Sequence, residues 1–267
     1  MTRSHPRFAM IWMVWLMACA ALPPLAWADT GAGAVEVRPG VSLALHAMRH
    51  PAGEPRAQLV LIPGGGGGLG LDARGEPRSN NFLIRTRAMF YEAGFDVISL
   101  GNASDHPQME PRYRASAEHV ADLEAVVRSL TAQNDLPVWL IGTSRGTTSA
   151  AAAAARFGNQ LLAGLVLTSS ISTGRQGGAV QNENLAALRL PVLVVHHEDD
   201  SCNVTPLAGA RGIFDQLKNA PVKKLLVQQG GSASGSDCGP FHHHGYEGIE
   251  AATVQAITDW IREPKAP

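Results

Sequence analysis

Val138-Trp139-Leu140-Ile141-Gly142-Thr143-Ser144-Arg145-Gly146 is the stretch on which the fold turns. Its first four residues are continuously apolar and read as a buried strand. The segment just beyond it, with Ala150 to Ala155 at its centre, is alanine-rich and reads as a helix over Arg145 to Phe157. Between them lies Gly142-Thr143-Ser144-Arg145-Gly146, a Gly-x-Ser-x-Gly pattern on a strand–turn–helix junction. A turn this tight brings strand and helix so close that a side chain two residues either side of the serine would strike its neighbour. Glycine removes that clash. The serine is then held at the tip, with its hydroxyl turned outward. The plain alternative is a strand-to-helix turn that merely contains a serine, and the character of both flanks argues against it.

Outward from this junction, strands and helices alternate. Val35 to Val37 and Ser42 to Ala47 read as an antiparallel pair around Pro39-Gly40, after a loose tail at Thr30 to Ala34. Gln58 to Ile62 is the third strand and runs into Pro63 and five glycines, Gly64 to Gly68. Further strands are expected at Phe95 to Leu100, Ala163 to Thr168, Val192 to His196 and Val222 to Val227. Helices are expected at Phe82 to Ala93, Pro111 to Ala132, Pro206 to Leu217 and Gly248 to Ile261. Strands that are apolar throughout are buried on both faces. The expected fold is therefore α/β: a mostly parallel twisted sheet of about eight strands with helices on both faces. Ligand chemistry in such folds gathers beyond the carboxyl ends of the strands.

The chain has 267 residues and a net charge of −1, which leaves no electrostatic footprint for nucleic acid. Arg3 and Arg7 precede an apolar stretch from Phe8 to Leu22, and Ala26-Trp27-Ala28 offers a small-x-small cleavage site before Asp29. This pattern predicts a signal peptide over 1–28 and a single domain over 29–267, in a periplasmic or secreted protein. A lipoprotein reading through Cys19 is the minor alternative, and no other segment is long and apolar enough to span a membrane. Of three cysteines, signal removal leaves Cys202 and Cys238 in an oxidising compartment, which predicts a disulfide between them.

A serine is a poor nucleophile without a base, and the base needs a carboxylate to orient it. On this scaffold the chain order is serine, acid, histidine. The loop after Val192 to His196 supplies His197-Glu198-Asp199-Asp200. The loop after the last strand supplies Phe241-His242-His243-His244-Gly245-Tyr246. With the glycine-rich loop and the Gly142–Gly146 turn, these features resemble the α/β-hydrolase family across most of the mature chain. The resemblance implies a serine hydrolase acting on an ester, thioester or amide by an acyl-enzyme route. It maps the acid onto Asp200, with Asp199 and then Glu198 behind it, although His197 stands where the family commonly has glycine. It maps the base onto His244, with His243 and His242 as alternatives. It places the oxyanion donors at Gly65 or Gly66 and at the backbone N–H of Arg145.

The glycine run does not continue into a P-loop, because no Gly-Lys-Ser/Thr comes after it. Only about two dozen residues separate Thr168 from Val192, too few for a cap of several helices, so the site is expected to be open and to favour small or accessible acyl groups. No cofactor and no metal is implied. The competing readings are a metal-binding protein built on the His- and Asp-rich loops, a non-catalytic binding protein on the same scaffold, and acyl transfer to an acceptor other than water. Asn102, Ser104, Asp105 and His106 also come after a strand and read as a polar loop with Asx-type turns.

Overall fold

Alternation along each strand sorts its side chains onto two faces, and the computed structural model shows both faces covered. It describes Met1, residues 30–174 and residues 178–265. Apart from Met1, the predicted signal peptide, 1–28, lies outside the described residues. The strands are β1 (Thr30–Arg38), β2 (Val41–Met48), β3 (Gln58–Ile62), β4 (Asp96–Ala103), β5 (Val138–Thr143), β6 (Gly164–Thr168), β7 (Val192–His197) and β8 (Lys223–Gln228). They form one sheet in the order β1-β2-β4-β3-β5-β6-β7-β8. Only β2 runs against the rest, pairing antiparallel with both β1 and β4.

The helices are α1 (Phe82–Arg85), α2 (Arg87–Glu92), α3 (Ala117–Gln133), α4 (Arg145–Phe157), α5 (Leu207–Gln216) and α6 (Glu250–Arg262). Val60, Ile62, Leu140, Leu165 and Val194 pack with α3, α4 and α5 on one face. Leu59, Leu61, Ile141, Val166 and Val195 pack with Phe82, Phe90, Ile257 and Trp260 of α1, α2 and α6 on the other. Burying both faces is what makes the strands read as unbroken apolar runs.

The chain leaves β3 for β4 on one side and returns to β5 on the other, so the strand order reverses at β3. Crevices open at such a reversal, outside the carboxyl ends of the strands. Ile62 pairs with Gly142 at this point, which sets the glycine-rich loop against the serine turn through backbone register alone.

Three local expectations need correction. Thr30 to Ala34 is no loose tail. It is the first half of β1, with Thr30 opposite Met48 and Ala34 opposite Ala44, because the open edge of β2 offers its backbone groups a full ladder. The helix expected over Phe82 to Ala93 is broken at Thr86, whose hydroxyl donates to the Phe82 carbonyl at 2.7 Å and whose ψ of 5° ends the first segment. The long helix begins at Ala117 and not at Pro111. Tyr113–Ala115 forms a separate 3-10 turn, and Ser116 then caps α3 by accepting the His119 N–H at 3.1 Å.

Between β6 and β7 the described residues contain only two 3-10 turns, Val180–Asn182 and Leu185–Ala187, and no cap domain. No helix among the described residues is long and apolar enough to cross a membrane.

Candidate active site

Ser144 sits between the last residue of β5 and the first of α4 with φ 50° and ψ −126°, a backbone state that non-glycine residues rarely adopt. Its own amide donates to the Thr168 carbonyl at 3.0 Å, which pins the turn to β6. A Cβ on Gly142 would lie 2.6 Å from the Gly146 carbonyl oxygen, and one on Gly146 would collide with the Ile62 carbonyl. Both positions therefore have to be glycine. The same closeness extends to the loop after β3, where a Cβ on Gly64 would lie 2.8 Å from the Ser144 Cβ.

Asp200 and His244 meet from two different loops. The His244 Nδ1 lies 3.0 Å from the Asp200 Oδ2 and 3.2 Å from the Thr205 hydroxyl. An ionised carboxylate only accepts, so the imidazole carries its proton on Nδ1 and leaves Nε2 as a lone pair. The other Asp200 contacts are the Cys202 N–H to Oδ1 at 3.0 Å and the Thr205 hydroxyl to Oδ2 at 2.9 Å. Burial works against the charged Asp200. The hydrogen bond from His244 and the Cys202 N–H outweigh it, and hold the carboxyl below its usual range. His196 lies under the same carboxylate, its Nε2 3.6 Å from Oδ2, but burial pushes this imidazole down to about 4 and leaves it neutral.

The alternatives point elsewhere. Asp199 and Glu198 are not buried, and Glu198 accepts from Gln229 at 2.8 Å. His243 reaches the Asp199 carbonyl at 3.3 Å and stacks on His197, with ring centroids 4.4 Å apart. His242 lies 3.6 Å from Asp237. Ser144, His244 and Gly64 to Gly68 line one cavity of about 300 Å³, together with Asn81, Phe82 and Cys238.

Several side chains that organise this cavity carry no motif signal. The Tyr246 hydroxyl is fully buried, donates to the Val195 carbonyl at 3.0 Å and accepts the Ser169 N–H at 3.1 Å. The Ser169 hydroxyl donates to the His244 carbonyl at 2.8 Å, so the base loop is tied to the ends of β6 and β7. Arg85 holds the same loop from α1, with bonds to the Gly245 carbonyl and to Glu250, both at 2.8 Å. Cys202 and Cys238 are joined in a disulfide, which fastens the acid loop to the base loop.

Arg114 is buried beneath the glycine loop, with Nη2 3.0 Å from the Gly65 carbonyl and 3.5 Å from the Gly64 carbonyl. In a planar trans peptide the N–H points opposite the C=O. Arg114 thereby turns the N–H groups of Gly65 and Gly66 away from itself. Neither of these, nor the N–H of Arg145, has a backbone acceptor among the described residues.

Two groupings of potential metal ligands occur near the site, His197 with Asp199 and His243, and Asp200 with Cys202 and His244. The donor chemistry fits a metal poorly in both. The Cys202 sulfur is in a disulfide, and Asp200 and His244 are bonded to each other. Both His197 nitrogens are engaged, one by the Asp199 N–H at 3.0 Å and the other with the Gly230 carbonyl at 2.7 Å. Asp105, from the polar loop after β4, pairs with Arg38 at 3.0 Å, in keeping with a structural loop.

Solved structures with this arrangement of strands are numerous. An α/β serine hydrolase homologue from Coxiella burnetii is 17% identical, with a TM-score of 0.60 over 88% of this chain and 99% of that one. The chain has the α/β-hydrolase fold. Est1E from Butyrivibrio proteoclasticus, at 16% identity, matches with a TM-score of 0.59 over 88% of this chain and 98% of its own. An α/β serine hydrolase without a lid from Xanthomonas campestris, also 16% identical, matches with a TM-score of 0.59 over 89% and 98%. No protein-family model matches the sequence, and no curated protein matches it. At these identities the likeness concerns the α/β-hydrolase fold, and the chemistry has to be argued from the site.

Proposed function

We propose that the protein is a serine hydrolase that cleaves an ester, thioester or amide through an acyl-enzyme intermediate. One observation carries this reading: a buried carboxylate fixes the Nδ1–H tautomer of His244 at the rim of the cavity that also holds Ser144 on its strained turn.

In this mechanism the His244 Nε2 takes the proton of the Ser144 hydroxyl as Oγ attacks the substrate carbonyl. Asp200 stabilises the resulting imidazolium without taking its proton. The carbonyl oxygen becomes an oxyanion, held by the N–H of Arg145 and by that of Gly65 or Gly66. One such donor is worth about 10²–10³ in rate. His244 then returns the proton to the leaving group as the carbon–heteroatom bond breaks. Water repeats the sequence on the acyl-enzyme, which releases the acid and restores Ser144.

The small cavity at Ser144 and the lack of cap helices among the described residues support short, accessible acyl groups. The cysteine pair and the predicted leader support export to the periplasm or beyond. Labelling with a fluorophosphonate probe tests the nucleophile: wild-type protein is labelled and Ser144→Ala is not. Persistent labelling of the variant would remove Ser144 from the reaction.

A further inference from the structure

A second cavity, larger than the one at Ser144, has a volume of about 630 Å³ and is lined by the residue next to Ser144. Arg145, directly after the nucleophile and exposed, and Arg114, fully buried, both line it. Pro111 and Ile171 give it apolar walls, and Thr148 and Asn203 give it polar ones.

The charge balance of this cavity is unusual. Arg114 is fully buried, and its three bonded acceptors are all neutral: the Gly64 and Gly65 carbonyls and the Ser149 hydroxyl at 3.3 Å. Its Nε has no partner. No carboxylate pairs with either guanidinium among the described residues. Burial, reinforced by the like charge of Arg145, pushes the Arg114 pKa down to about 9. A buried cation without a counter-ion is costly to fold around. Two like charges converging on one cavity make that cost larger, and a ligand anion relieves both.

We propose that this cavity binds a carboxylate carried by the substrate, with Arg145 making the direct contact and Arg114 supplying positive field from below. The apolar walls then hold the short carbon skeleton that joins the carboxylate to the scissile carbonyl at Ser144. The substrate class is thus half-esters or related acyl derivatives of dicarboxylic acids. This rests on the hydrolase reading, and the test separates the two.

The experiment measures kcat/KM for mono-4-nitrophenyl glutarate and for the neutral 4-nitrophenyl butyrate, in wild type, Arg145→Ala and Arg145→Lys. Dividing the charged by the neutral value cancels whatever the substitution does to the shared chemical step. One charge-assisted hydrogen bond corresponds to about a 10- to 100-fold preference. The expected outcome is a glutarate preference of that size in wild type, lost in Arg145→Ala and partly restored in Arg145→Lys. Equal ratios in wild type and Arg145→Ala would overturn the carboxylate site, while turnover of butyrate that is abolished in Ser144→Ala leaves the hydrolase standing. Calorimetric titration of Ser144→Ala with free glutarate reads the site without catalysis. Binding there that disappears on adding Arg145→Ala supports the proposal. No binding, or tighter binding of inorganic phosphate than of glutarate, overturns it.

Discussion

Replacing Asp200 by asparagine changes one atom, and the surrounding bonds dictate what that atom does. The Cys202 N–H donates to Oδ1 at 3.0 Å, so the amide oxygen of the variant takes that place. The amide NH₂ then faces Thr205 and His244, where the wild-type Oδ2 accepts at 2.9 and 3.0 Å. Turning the amide round would set NH₂ against the Cys202 N–H and leave a buried donor unmet, at about 1–3 kcal/mol. In the favoured orientation His244 must accept at Nδ1 and carry its proton on Nε2. That tautomer has no lone pair for the Ser144 proton. Loss of the correct tautomer costs about 10³–10⁴ in kcat, or about 4–5.5 kcal/mol of barrier. KM should move little, because Asp200 does not touch substrate. Steady-state hydrolysis of 4-nitrophenyl butyrate measures both constants. A kcat within tenfold of wild type would falsify the assignment of Asp200 as the group that orients the base.

Thr205→Val keeps the shape but deletes the hydroxyl shared by Asp200 and His244; we expect about a tenfold loss of kcat and about 1–2 kcal/mol of stability by urea unfolding, and unchanged kinetics would show that the carboxylate needs no such support. Reduction of the Cys202–Cys238 disulfide, which closes a 36-residue separation and is worth about 3–4 kcal/mol on the chain-entropy model, should lower activity at less reductant than is needed to unfold the domain; a single shared midpoint counts against this. The Asp200 pKa lies below its unfolded value, so the stability it contributes is present above about pH 4 and is lost as pH falls through the folded pKa; the urea midpoint of wild type should therefore drop more steeply with acidification than that of Asp200→Asn, and parallel curves would contradict the sign.

Much of the molecule is legible in its residues. Gly142 and Gly146 bracket a serine between an apolar run and an alanine-rich one, and the structure shows that neither glycine has room for a methyl group. β3 and α4 fall on the expected residues because their ends are marked by Pro63 and Gly158. The choice among His242, His243 and His244 is not written locally, since three identical side chains stand in a row. In the structure, contacts of this loop with Ser169 after β6 and with Val195 of β7 hold His244, alone of the three, against Asp200. Thr205 and Arg114 are silent in the sequence for a related reason. A lone threonine or arginine resembles any surface residue until tertiary packing buries it. The first half of β1 is equally silent, because Gly31, Ala32, Gly33 and Ala34 show no apolar alternation, and only the neighbouring edge makes them a strand.

Ser144 and the glycine loop owe their spacing to adjacent, register-matched strands, β5 and β3, whereas the loops bearing Asp200 and His244 come after β7 and β8, two and three strands away from β5. The two halves of the machinery therefore inherit their accuracy from different sources. One is set by strand register and by the close approach that Gly64, Gly142 and Gly146 permit; the other hangs on a handful of tethers, Thr205, Tyr246, Arg85 and a sulfur bridge. Random substitution should thus produce many chains whose serine turn is intact but whose Asp200–His244 pair has drifted, and the tethers are where substitutions would reshape that pair.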